Sequence, residues 1–599
     1  MTADRQAFSP RSPLLSCRRS EARTVLPVPT DVNHCKVTKL PFSAMIITRL
    51  HLLGSIFFAV VTNVSADSLA GPVSVRPPIT YPDNKPPRPV DVWCGKAYRA
   101  TDAPFADLVE KGWLYPPKKS NQPLFDIACR PKLKPFLNDE NLAQDLQPRI
   151  VIEATISNDV GVPFPALDYY NDFQEPSDVW VTVSVRSDAG KAKSKVILKE
   201  VPVSFDQNAE FALDLSKLPT QVDPYTIYCT AALQKGDTPF AVASSEMYWL
   251  PPNPHGGSTV VLDSESGKLL VVDQAKPAGY HSFFPIGYYT NWGDYLKDNF
   301  TKLQDIKDAG FTMVHPIPDI GPANQTWGNT ADSFDHFIKF MDACKKIGLW
   351  VMYDMRWNYM STPDVEYQVK ALRSHPALLL WYTADEPDGH NDPTNSTLVS
   401  YRTISDLDGY HPISYTPNCQ NYFFAQYASG SDIVIPDVYP ISNNVTFSNR
   451  YNTACNRTYG CCGCDNCPGT LADLGDRVRE MREFTRLLGM HKTFWAVGQG
   501  FGAAEFWERV PTGQEVVTLS EGAVEAGATG LLWWSAPPVA EIWNATSQLA
   551  KRLNAGAYAS KRSKDDYWSA IKPALLFEFS ALVLAAVWAD RFPIRRMDW

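Results

Sequence analysis

Residues 377–387 read ALLLWYTADEP. The run from Ala377 to Tyr382 has no polar alternation, so it reads as a strand buried on both faces, the habit of parallel sheets. It then stops at Asp385 and Glu386, followed by Pro387. Two carboxylates at the end of a buried strand are costly unless they have a purpose. Asp385 and Glu386 could instead cap the next helix, a place Asp favours.

The same kind of run recurs on either side. FFPIGYYT (283–290), FTMVHPIP (311–318) and LWVMYDM (349–355) precede it; PISYTPN (412–418), DIVIPDVYP (432–440), KTFWAVGQGFG (492–502) and TGLLWWSAPP (529–538) follow. Helical patterns separate them over 296–309, 333–347, 363–374, 396–408, 471–488, 513–526 and 540–553, with only a short helix after the fifth strand. Eight β-α units predict an α/β fold, a (β/α)8 TIM barrel spanning 256–556.

Upstream the period changes to two. Val179, Val181, Val183 and Val185 alternate with polar or half-polar neighbours, and RIVIEATIS (149–157), VILKEVPVSF (196–205), YTIYCTAAL (225–233) and AVASSEMYWL (241–250) behave alike. This predicts an all-β sandwich over 148–255, closed by the linker Pro251–Gly257. Residues 67–147 read as a Pro-rich loop segment with Cys94 and Cys129 as a plausible pair.

Residues 45–66, MIITRLHLLGSIFFAVVTNVSA, carry Arg49, an apolar stretch from Leu50 to Val61 and a small-x-small end at Val64-Ser65-Ala66. That is a secretory signal within an N-terminal extension of 1–66, placing the mature start near Asp67. Either Met45 is the true start or the extension makes an uncleaved signal anchor. Glycosylation sequons at Asn299, Asn324, Asn395, Asn444, Asn456 and Asn544 agree with secretion. Of 12 cysteines, five crowd into Cys455–Cys467. They could be drawn as a zinc site, but an oxidising compartment favours a stapled loop. In the tail 557–599 the apolar stretch 574–589 could be a membrane anchor, a lipid-anchor signal or a packed helix.

The chain has 599 residues, 44% apolar and 20% charged, with net charge −9. Disorder is excluded, and so is a basic face for nucleic acid. No Gly-x-Ser-x-Gly elbow or His-Glu-x-x-His motif is present, so neither an esterase nor a metalloprotease is expected. No cofactor and no metal is expected. The 17 tryptophans suit a surface that stacks on flat or ring-shaped ligands. Barrel sites lie at the C-terminal strand ends. There the sequence places Tyr288, Tyr289 and Trp292; His315 and Asp319; Asp354, Arg356 and Trp357; Tyr382, Asp385, Glu386 and Asp388; Asp437 and Tyr439; Trp495, Gln499 and Glu505; Trp533 and Trp534. Carboxylates and aromatic rings on one rim fit a carbohydrate ligand.

Trp381-Tyr382-Thr383-Ala384-Asp385-Glu386-Pro387 resembles the Asn-Glu-Pro signature of the retaining clan of (β/α)8 glycoside hydrolases, with Asp385 in place of Asn. The lead-in GKLLVVDQAKPAGYHSFFPIGYYT (267–290) is similar to that of β-galactosidase and β-glucuronidase barrels. The resemblance implies a glycosidase, with Glu386 as general acid/base and Trp533 or Trp534 flooring the sugar site; with the signal sequence this makes a secreted or cell-surface glycoside hydrolase the expectation. One position departs: that clan ends strand seven with a nucleophilic Glu, and here Gln499 stands there. The second carboxylate is then expected to be Asp437, next Glu505, with Asp354 as a further candidate. Substrate contacts are expected from Tyr289, Trp292, Asp354, Trp357, Tyr382, Asp385, Tyr439, Trp495, Trp533 and Trp534, with Gln499 bonding a sugar hydroxyl or a water. A catalytically silent sugar-binding barrel and a cell-wall structural protein are the alternatives.

Overall fold

Strand four, Leu378–Asp385, is buried at every position but its last. In a computed structural model, which describes residues 71–82, 90–105, 112–139, 142–165, 177–187, 194–272, 279–318 and 334–559, this strand sits inside a parallel sheet. The other barrel strands are Ile286–Asn291, Met313–Ile317, Trp350–Asp354, Ile413–Thr416, Ile433–Val434, strand seven in two pieces (Thr493–Phe494 and Ala496–Gln499), and Leu531–Ala536. One piece of strand seven pairs with strand six and the other with strand eight, so the sheet closes. The expected TIM barrel is present. Strand six is shorter than the sequence promises, because Pro436 has no N–H to give a ladder.

Helices Lys302–Asp308, Phe334–Ile347, Thr362–Leu372, Ser396–Leu407, Phe424–Ser429, Asp473–Leu488, Gly513–Glu525 and Ala540–Ala559 lie between and after the strands. The two barrel cores separate by residue parity. Trp533 packs outward with Tyr288, Phe311 and the helices, whereas Leu532, Val497 and Trp495 fill the interior. A small antiparallel sheet of Leu133–Lys134, Thr259–Asp263, Leu269–Val272 and Tyr280–Ser282 contributes Val260, Leu262, Leu269 and Val271 to that interior cluster.

The sandwich has one sheet built on Ala241–Leu250, Gln221–Ala232, Asp178–Ser187 and Lys195–Ser204, and a second on Asn208–Ala212, Arg149–Ser157 and Leu124–Pro131. Leu124–Pro131 falls in the segment expected to be loops. Its inward residues Phe125, Ile127 and Cys129 are buried in the sandwich core. The expected Cys94–Cys129 pair is replaced by two others. Cys129 joins Cys229 across the two sheets, and Cys94 joins Cys419 of the barrel, 325 residues away. The Cys-rich loop holds Cys455–Cys462 and Cys464–Cys467 disulfides, as a stapled loop requires; no group that could hold a metal occurs among the described residues.

Among the described residues no helix is long and apolar enough to cross a membrane. The signal at 45–66, Asp67, Asn324 and the stretch 574–589 lie outside the described residues.

Candidate active site

The barrel mouth is organised around one arginine. Arg356, just past strand three, forms ion pairs with Asp354 at 2.7 Å and with Asp385. Its guanidinium lies 5.4 Å from the ring centres of Tyr289 and Tyr382 and 5.6 Å from that of Trp534. Asp354 also meets His315 at 2.8 Å. Burial pushes the Asp354 carboxyl up, but Arg356 and His315 outweigh it and hold it below the usual carboxylate range. Asp385 accepts a second bond from the Tyr382 hydroxyl, and Tyr289 donates to Tyr382 at 3.2 Å. Asp354 and Asp385 are thus committed to charge balance with Arg356.

Glu386 follows at the strand end with φ 48° and ψ 45°. A side chain in the left-handed region costs free energy and persists where the surroundings enforce it. Here the Glu386 N–H is pinned to the Thr416 carbonyl at 2.8 Å, and Pro387 begins a short helix, Pro387–His390. The turn directs the carboxyl at Asp437, and the two carboxyl groups hydrogen-bond to each other. The side-chain amide of Asn418 donates to both, at 2.9 Å to Glu386 and 3.2 Å to Asp437. Burial, the Asp437 charge and the Asp437 hydrogen bond push Glu386 well up. Burial also lifts Asp437, to about 7. Burial lifts both groups, and the hydrogen bond between them favours the proton on Glu386.

Asp388, next along, is raised to about 7 by burial despite accepting backbone N–H bonds from Asn418, Cys419 and Gly389. It shapes the loop that presents Asn418. From the other side Trp93 donates its indole N–H to the Asn418 side-chain oxygen at 2.8 Å. The Cys94–Cys419 disulfide holds Trp93 in place. Sequence reasoning missed both Asn418 and Trp93. Asn418 closes the quoted fifth run, a rim position. Trp93 has no local signal.

Of the expected aromatic residues, Tyr439 lies near the pair and is buried, and Trp534 lies over Arg356. Tyr439 packs on Phe501 and Trp507 with ring centres 5.0 and 6.1 Å apart. Trp534 is partly buried, and Trp357 is 50% exposed.

Five expected site residues lie elsewhere. Trp292 is buried against Phe337 and Phe340, behind the barrel. Trp495 is fully buried in the barrel interior. Trp533 is fully buried outside the sheet and bonds Ser520 at 3.0 Å. Glu505 pairs with Arg450 of the loop after strand six at 2.8 Å. Gln499 is fully buried: its oxygen accepts from the Ile441 N–H at 2.9 Å, and its amide donates to the carbonyls of Ile441 and Phe501 at 3.0 and 3.2 Å. It clamps two loops and has nothing left for a sugar. The Gly498-x-Gly500 repeat also has a packing reason. A Cβ on Gly498 would stand 2.5 Å from the Trp533 ring, and one on Gly500 2.8 Å from the Trp534 carbonyl.

No protein-family model matches the chain, and no curated protein matches it. Solved structures do show likenesses. One is a β-D-glucuronidase from Dictyoglomus thermophilum, 11% identical with a TM-score of 0.31, covering 68% of this chain and 61% of that one. A glycosyl hydrolase family 2 member from Bacteroides cellulosilyticus is 11% identical with a TM-score of 0.30, covering 70% and 46%. A β-glucuronidase from Ruminococcus gnavus is 9% identical with a TM-score of 0.29, covering 70% and 61%. This chain thus spans less than two thirds of each of these proteins, and at such scores the likenesses decide nothing about the site.

Proposed function

We propose that the protein is a secreted glycoside hydrolase that cleaves O-glycosidic bonds, with Glu386 as the general acid. The observation that carries the reading is the placing of Glu386: a carboxyl at the end of strand four, hydrogen-bonded to Asp437 and Asn418 and raised well above the usual carboxylate range by burial and by Asp437. An acid of this kind can protonate a departing glycosidic oxygen. Asp437 acts as the partner that keeps the proton on Glu386. Trp357 and the partly exposed Trp534 offer faces to a sugar.

Secretion is supported by the signal sequence and by disulfides that join distant segments. Asn299, Asn395, Asn444, Asn456 and Asn544 are all exposed, as glycan acceptors must be. Glu386→Gln should lower turnover of glycosides with poor, alkyl leaving groups, which need the proton, by about 10²–10⁴-fold with an unchanged melting profile at pH 4. Wild-type turnover in that variant would remove Glu386 from the chemistry.

One observation favours a second reading, a sugar-binding barrel without catalysis. The strand-seven place carries Gln499, which is clamped between backbone groups. Sugar binding by calorimetry with no hydrolysis of any aryl glycoside would select it.

A further inference from the structure

We infer that the nucleophile of this site belongs to the substrate: the barrel is built for glycosides of 2-acetamido-2-deoxy sugars, whose acetamido oxygen attacks C1 while Glu386 protonates the leaving oxygen. This rests on the glycosidase reading and names its substrate class.

Standard glycoside hydrolysis needs two carboxyl groups on opposite sides of the scissile bond, about 5–5.5 Å apart for retention or about 6.5–9.5 Å for inversion. Asp437 cannot take the second role, because it hydrogen-bonds directly to Glu386 and shares the Asn418 amide with it. Asp354 and Asp385 are bound to Arg356, Glu505 to Arg450, and Asp388 to three backbone N–H groups. Strand seven offers the amide of Gln499. Among the described residues, no uncommitted carboxylate faces Glu386 from across the mouth. Among the described residues an acid is present, and a carboxylate placed as its nucleophile is not.

What stands beside the acid is a second carboxylate, and that is the equipment a substrate nucleophile requires. In the first step the acetamido carbonyl oxygen bonds to C1. The bond from C1 to the leaving oxygen breaks, and its electron pair takes the proton of Glu386. The product is a bicyclic oxazolinium with positive charge spread over its N–C–O unit. Asp437, held against Glu386 and by the Asn418 amide, accepts the N–H of that unit, and its carboxylate form balances the charge. Tyr439, two residues on, and Trp534 wall the methyl group. In the second step water gives a proton to the Glu386 carboxylate, and its oxygen bonds to C1. The bond from C1 to the acetamido oxygen breaks, the amide is restored, and Glu386 is again protonated. The anomeric configuration is retained.

The test uses the full secreted chain and paired 4-nitrophenyl glycosides of both anomers: 2-acetamido-2-deoxyglucosides and -galactosides against the parent glucosides and galactosides. Release from one acetamido substrate should exceed that from its parent by at least about a hundredfold, since the intramolecular nucleophile is lost with the acetamido group. Replacing acetyl by trifluoroacetyl should cut kcat/KM by more than about tenfold, because the carbonyl oxygen becomes a poorer nucleophile. Parent glycosides hydrolysed as fast as the acetamido ones would overturn this inference and leave the glycosidase reading standing. Hydrolysis of neither set would overturn both.

Discussion

Trp93 donates its indole N–H to Asn418 at 2.8 Å, and so fixes which end of that amide faces the carboxyl pair. A free asparagine side chain turns over at little cost. Here a turn would set its oxygen against Glu386 and Asp437. Asn418 donors favour the ionised form of Asp437, so removing them should raise the pair further. Trp93→Phe keeps the ring against His390 but loses the donor. Its kcat/KM should fall by about three- to tenfold, and that of Asn418→Ala by about ten- to a hundredfold. In both, the pH–rate profile should move to higher pH. A fall in rate with an unmoved profile would reduce Asn418 to a packing role.

The carboxyl pair also makes stability depend on pH. Both groups titrate higher in the folded protein than in the unfolded chain, where carboxylates titrate near 4. Between about pH 4 and pH 7 the folded state binds more protons, so stability falls as pH rises through that window. Asp437→Asn removes the second charge. It should stabilise the protein at pH 7.5 by roughly 1–4 kcal/mol and have little effect at pH 4, while activity drops. Thermal melts at the two pH values decide this.

Gln499→Glu puts back the residue type that the resemblance leads one to expect, yet it should not produce a faster enzyme. The amide of Gln499 donates to two buried carbonyls, and a carboxylate would face both without a proton. Destabilisation of about 3–5 kcal/mol is expected, with no gain on any aryl glycoside. A gain in turnover would show that the strand-seven position can still reach a sugar.

Neighbouring tryptophans should separate cleanly. Trp533→Ala empties a fully buried site and should cost about 3–5 kcal/mol with KM unchanged in the surviving fold. Trp534→Ala loses a partly exposed ring over Arg356. It should cost only about 1–2 kcal/mol but raise KM by about tenfold. Denaturant melts and Michaelis plots on both variants provide the comparison.

The barrel was legible because each parallel strand is an apolar run, and Asp385 and Glu386 mark where one of them reaches the rim. Period two also divides Trp533 from Trp534, but it cannot tell which one faces the mouth; only the closed sheet does that. Gln499 misled for a simple reason. Its position in the strand was read correctly, but its partners, Ile441 and Phe501, belong to loops whose paths no periodicity describes. Trp292 failed likewise: it stands one residue beyond strand one, where the chain turns outward to Phe337 and Phe340. The Cys94–Cys419 bridge was invisible because cysteine spacing says nothing about partners 325 residues apart.

That bridge bears on how the protein can be cut. A fragment starting at residue 256 would contain every barrel strand, and by element count it would look complete. It would lack Trp93, leave Cys419 as a thiol beside the loop that Asp388 shapes, and set the Asn418 amide free. Leu133–Lys134, an edge of the small sheet at the barrel floor, would go as well. The working unit is therefore spread through the chain and cannot be inherited, expressed or swapped as a barrel alone.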